Sequence, residues 1–98
     1  MKIHFAPRRD DAPELLVAEA ELIFEDGEPL AGLKLVGFSI YKNAAGRLYV
    51  TLPSRAFGMG EKRQYFDFLR SAKEKHSDTQ TVKDSILGAW SKNNPPVA

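Results

Sequence analysis

Residues 15–25 alternate apolar and polar side chains with a period of two: Ala18, Ala20, Leu22 and Phe24 share one parity, and Glu19 and Glu21 hold the other. Successive side chains of an extended strand point to opposite faces, so only a strand converts this pattern into one dry and one wet surface. A strand needs neighbours for its N–H and C=O groups. The segment therefore commits the chain to a sheet. The same period recurs in a short first strand at 2–6, where Ile3 and Phe5 oppose Lys2 and His4. Pro7 limits that strand, and Asp10-Asp11-Ala12-Pro13 reads as a turn. A fourth strand alternates Leu48, Val50 and Leu52 with Tyr49 and Thr51 until Pro53 stops its ladder, and Gln64 to Leu69 reads as a fifth, aromatic strand.

The third strand, 33–42, changes parity partway. Leu33 and Leu35 lie on one side, and Val36, Phe38 and Ile40 on the other. A bulge near Val36-Gly37 would restore a single buried face. Asp26-Gly27 is a hairpin signal ahead of this strand, with Pro29 making the loop longer or irregular. Asn43-Ala44-Ala45-Gly46 turns the chain after it, with Gly46 in the left-handed position.

The period then changes. Val82, Ile86, Ala89 and Trp90 fall at i, i+4, i+7 and i+8, one apolar stripe of an amphipathic helix, which leaves Lys83 facing solvent. Ser77-Asp78-Thr79-Gln80 has capping-box spacing, and Asn93-Asn94-Pro95-Pro96 ends the helix and frays. The charged residues 70–76 read as a helical lead-in or a loop. Strands followed by a helix predict an α+β domain: a small antiparallel sheet of about five strands over 2–69, then a C-terminal amphipathic helix over 78–92 and a frayed tail over 93–98. At 98 residues the chain has room for one core.

Several function classes drop out on chemistry. The chain holds no cysteine, which excludes disulfides and thiolate chemistry. No apolar run approaches the ~18 residues of a membrane span, and no basic-then-apolar leader opens the sequence, so a cytoplasmic protein is expected. His4 and His76 have no second histidine or carboxylate at ligand spacing, which favours surface positions over metal ligation. Ser54 lacks a nucleophile elbow. Gly58-Met59-Gly60 is too short for a phosphate cradle and reads as a hairpin tip. Asp67, between Phe66 and Phe68, is turned outward by the alternation. No acid–base pair stands out, and the expectation is a protein without catalytic residues, metal or cofactor.

Charge is more informative. The net charge of +1 combines a sum of −5 over residues 1–31 with +6 over residues 32–98. Between Lys34 and Lys75, nine basic residues meet only Glu61, Asp67 and Glu74. Such segregation either builds a positive face that attracts phosphate backbones or is neutralised by the acidic half across paired strands. Lys42, Arg47, Arg55, Lys62 and Arg63 lie on or beside turns, with Tyr49, Phe57 and Tyr65 interleaved among them. Basic groups supply phosphate contacts and exposed rings stack on unpaired bases. The alternative keeps the rings in the core and leaves the cations as solvated loop charges.

The run Leu48-Tyr-Val-Thr-Leu-Pro-Ser-Arg55 resembles the signature of the SpoVG family, the stage V sporulation protein G or septation regulators of bacteria. Gly60, Glu61 and Arg63 resemble the Gly-Glu-x-Arg-like stretch that follows. Leu35-Val-Gly-Phe38, residues 18–25 and Thr81 to Trp90 resemble its earlier strands and C-terminal helix, so the likeness spans roughly 15–92. Pro53-Ser54-Arg55 is its most specific part. Three departures accompany it. Ala56 stands where the family usually has a second basic residue, Asp67-Phe68 replaces a common His-Pro pair, and 69–81 is several residues longer than usual.

The resemblance implies a small non-enzymatic subunit that dimerises through its sheet and binds DNA, in some members also RNA, to regulate genes, with influence on septation and sporulation in some bacteria. Phosphate contacts would come from Arg55, Lys62 and Arg63, with Arg47 and Lys42 as outer members. The alternative is a protein-interaction adaptor of the same fold that lost nucleic-acid binding with the Ala56 change.

Overall fold

Alternation produces strands where it was expected, and the bulge is where the parity changes. The computed structural model describes residues 1–93, so the tail beyond Asn93, with its expected fraying, lies outside the described residues. Four strands, β1 (Lys2–Pro7), β2 (Leu16–Ile23), β3 (Lys34–Lys42) and β4 (Leu48–Thr51), form one antiparallel sheet in the order β1-β2-β3-β4. Leu16, Ala18, Ala20 and Leu22 are buried, and Glu19 is exposed. Across β2 and β3, Ala20 faces Phe38 and Leu22 faces Leu35, so Val36 and Gly37 together oppose Glu21 alone. This two-against-one arrangement returns Leu35, Phe38 and Ile40 to one side, where Ile40 meets Val50 of β4. A second register shift near Val17, between the Leu16–Tyr41 and Ala18–Ile40 pairs, had no signal in the pattern.

Gly37 holds the bulge with φ of 106°, and a Cβ there would stand 3.0 Å from Cβ of Pro53. Gly37→Ala is therefore expected to lose about 1–2 kcal/mol from the left-handed backbone alone, before the close contact with Pro53 is counted. Urea denaturation checks this. A midpoint equal to the parent's would show that the bulge relaxes without cost.

The connections follow their turn residues. Asn43 Oδ1 accepts the N–H groups of Ala45 and Arg47 at 3.0 and 2.9 Å, closing the β3–β4 turn, and Gly46 is left-handed. Residues 24–33 make a longer connection, as Pro29 implied, pinned where Phe24 N–H donates to the Leu33 carbonyl at 3.0 Å.

Helix α1 (His76–Asn93) covers the buried face of the sheet. Ile86 is fully buried among Ala20, Leu22, Phe38, Ile40, Val50 and Leu52, and Val82, Leu87 and Trp90 pack around this cluster. The Trp90 ring meets Phe5 of β1 edge-on, with centroids 5.2 Å apart. Two expectations need correction. Lys83 is half-buried rather than solvent-facing, because it falls on the arc of the helix where Thr79, Val82, Leu87, Ala89 and Trp90 are also half-buried around the fully buried Ile86. The Ser77–Gln80 capping box does not form either. The helix starts at His76, two residues before the expected 78, and the Ser77 carbonyl already accepts Thr81 Oγ1 at 2.9 Å. Residues 70–75 are a loop organised by Ser71, whose Oγ accepts the N–H groups of Lys73 and Lys75 and donates to Asp78 Oδ2 at 2.6 Å.

Residues 54–67 add a second, two-stranded sheet. Strand β5 (Ser54–Phe57) pairs antiparallel with β6 (Gln64–Asp67). The fold is thus α+β, with six strands among the described residues and the helix last. Strand β5 escaped the sequence reading because Ser-Arg-Ala-Phe is short and carries no apolar alternation.

Candidate nucleic-acid interface

Pro53 sets the position of the β5–β6 hairpin. It lacks an N–H and so ends β4, it is buried against the Gly37 bulge, and its carbonyl accepts the Phe68 N–H at 2.7 Å. The Pro53-Ser54-Arg55 motif and the bulge are therefore two sides of one joint. At the far end the hairpin closes through a 3-10 turn, Gly60–Lys62. A Cβ at Gly58 would lie 2.5 Å from the Lys62 carbonyl oxygen, so this tip needs glycine.

Register assigns the side chains to faces, because directly opposed residues share a side. Arg55 opposes Phe66 and Phe57 opposes Gln64, while Ser54 opposes Asp67 and Ala56 opposes Tyr65. On the first face the Arg55 guanidinium carbon sits 4.7 Å from the Phe57 ring centre, and Phe57 meets Phe66 edge-to-face at 5.0 Å. On the second, Arg63 lies 5.4 Å from the Tyr65 ring centre. Each arginine is thus held extended over an aromatic ring, which spends part of its rotamer freedom before any ligand arrives.

The five basic residues do not form one cluster. Arg55, Lys62 and Arg63 belong to the hairpin, with Arg55 and Arg63 on opposite faces. Lys42 and Arg47 belong to the β3–β4 turn, flanking Asn43 and Gly46. All five are exposed, and among the described residues none of them forms an ion pair.

The acidic half neutralises little of the basic excess. Of the nine basic residues between Lys34 and Lys75, only Lys34 reaches a carboxylate among the described residues, with Nζ 3.1 Å from Glu21 Oε2. Glu21 also faces His4 Nδ1 at 3.0 Å, and the Lys34 and His4 contacts together hold its carboxyl below the usual carboxylate range. Arg9 stands 3.9 Å from Glu19. The carboxylates that form ion pairs among the described residues, Glu19, Glu21, Glu25 and Glu28, are thus all remote in sequence from the hairpin.

The rings are not in the core. Tyr49 and Phe57 are each 44% exposed and Tyr65 is 65% exposed. Tyr49 stacks on Tyr41, centroids 5.8 Å apart, on the outer face of the four-stranded sheet. Phe66, Phe68 and Arg70 also belong with the hairpin and were not singled out by sequence. The signal was there in the two-residue spacing of Phe66 and Phe68, but an aromatic strand reads as core-facing until its sheet is known.

Among the described residues no group of three or more His, Asp or Glu side chains gathers to hold a metal, and no helix is long and apolar enough to cross a membrane. No protein-family model, curated protein or solved structure matches the chain.

Proposed function

We propose that the protein is a dimeric, non-enzymatic regulator of the SpoVG type that acts in the cytoplasm by binding DNA, and also RNA, through the β5–β6 hairpin. The observation that carries this reading is the set of exposed cations without ion-pair partners at Arg55, Lys62 and Arg63 on the hairpin, with Arg47 and Lys42 at the β3–β4 turn, while the acidic groups among the described residues engage only Lys34 of the basic stretch. Unpaired surface cations release counterions from a phosphate backbone and require no prior ion pair to be broken. Influence on septation or sporulation would follow from the genes so controlled.

An electrophoretic shift assay on mixed genomic fragments, repeated across a salt series, tests the proposal. Binding should weaken linearly in log–log coordinates as salt rises. Arg55→Ala should weaken binding to all sequences alike and reduce the slope by about one. Lys2→Ala on β1 should change neither. Ala56→Arg, which adds a cation on the Tyr65 face, should strengthen binding and steepen the slope. A folded protein that binds no nucleic acid at low salt would replace this reading with the adaptor.

Dimerisation rests on the sheet. Strands β1 and β4 are terminal, each with one edge outside the ladder, and such edges pair readily with another copy. Light scattering after gel filtration should give about twice the chain mass. A monomer persisting at high micromolar concentration would exclude the two-fold dimer.

A further inference from the structure

Phe57, Phe66 and Phe68 share one parity along the hairpin, and with Gln64, Asp67 and Arg70 they line an open groove of about 510 Å³. Two of these rings are 43–44% exposed and Phe68 is 64% exposed. Three phenylalanines exposed together along one side of a two-stranded hairpin form the kind of apolar patch that marks an interaction surface. The groove is not bare hydrocarbon, since Arg55 lies over Phe57 and Arg70 forms part of the lining. Phe57 and Phe66 meet edge-to-face at 81°, a contact that occupies one ring face where parallel stacking would occupy two.

We infer that this groove takes the unpaired bases of a single-stranded nucleic acid, which stack on Phe57, Phe66 and Phe68 while Arg55 and Arg70 hold the flanking phosphates. The inference rests on the nucleic-acid reading above and specifies its substrate class. A duplex offers these arginines its phosphates but keeps its base faces stacked inside, so the phenylalanines would gain nothing from it. A single strand offers both groups at once: a repeating negative charge along the backbone and flat π-surfaces of any sequence.

Charge argues against the other obvious occupant, a second copy of the chain. A two-fold contact places the same patch on both partners, which would bring Arg55 and Arg70 toward their own copies in a drying interface. Residues 53–70 carry Arg55, Lys62, Arg63 and Arg70 against Glu61 and Asp67, an excess of two positive charges. That surplus complements a phosphate chain and opposes self-association.

The test compares a fluorescently labelled mixed-sequence DNA single strand with the blunt duplex of the same sequence, by anisotropy at matched salt. The single strand should bind at least about tenfold more tightly. Phe68→Ala removes a ring that has no aromatic partner in the hairpin. It should weaken single-strand binding by about five- to 150-fold, as expected for loss of one stacked base, with the salt slope unchanged because no cation is lost. Phe68→Trp should restore the affinity, and Tyr49→Ala, on the other sheet, should leave it intact. Circular dichroism and melting confirm that each variant is folded. Equal affinity for single strand and duplex, with Phe68→Ala inert, would overturn the groove assignment and leave the phosphate-binding reading standing. Conversion of a dimer to a monomer by Phe68→Ala without loss of single-strand affinity would overturn it in favour of a second copy. Absence of binding to either probe would remove both readings together.

Discussion

Ile86→Ala should destabilise the fold by about 2–5 kcal/mol, because it deletes buried methyl and methylene groups where the surroundings cannot collapse. Ile86 is fully buried and is the single helical residue that enters the cluster of Phe38, Ile40, Val50 and Leu52. A loss of this size is a large part of the ~5–15 kcal/mol that holds a domain folded. In a chain of 98 residues it should lower the melting midpoint by about 10 °C or more. Ser91→Ala, exposed on the same helix, should change stability by less than about 0.5 kcal/mol. Melting curves for the two variants that overlap would mean that α1 does not seal the sheet as described.

Simultaneous replacement of Arg55, Lys62 and Arg63 by alanine should flatten the salt dependence of DNA binding by about 2.7 log units per log unit of salt, at about 0.9 per phosphate contact. If parent and variant lines meet near ~1 M salt, affinity at ~0.1 M falls roughly 500-fold. The two arginines sit on opposite faces of the hairpin, so this full effect requires the nucleic acid to engage both sides of it. A flattening of only one unit in the triple variant, matched by Arg55→Ala alone, would mean that a single face is used. Gel shifts or anisotropy across a salt series measure the slope directly.

Much of the fold was legible because burial and alternation are local facts. The parity break between Leu35 and Phe38 located the bulge, and Asn43 with Gly46 located a turn, since both are answers to steric demands within a few residues. The helix was legible as a helix but not in its rotation. Lys83 lies half-buried because its aliphatic stem can cover apolar surface, a choice that a hydrophobic stripe does not encode. Its start was misplaced because Ser71, six residues outside the assumed cap, reaches Asp78 through a loop whose path is tertiary. The candidate site was legible in its residues and not in its grouping. Nothing in the order Arg55, Lys62, Arg63 says that a separate hairpin places the first and last on opposite faces, or that Phe57, Phe66 and Phe68 converge outside the core.

The joint at Pro53 has a thermodynamic consequence. A lone two-stranded hairpin is marginally stable in water, and the β5–β6 strands hydrogen-bond chiefly to each other, with their root fixed by Pro53 against Gly37 and by the Phe68 N–H on the Pro53 carbonyl. The arm can therefore open while the four-stranded sheet and α1 stay closed, as a unit with its own, smaller opening free energy. Its amides would exchange through that local opening, so β5 and β6 would lose protection well before β2 and β3. A ligand held by the arm must leave both when the arm opens and when the whole domain unfolds, so it would slow exchange in the hairpin and raise the melting midpoint together.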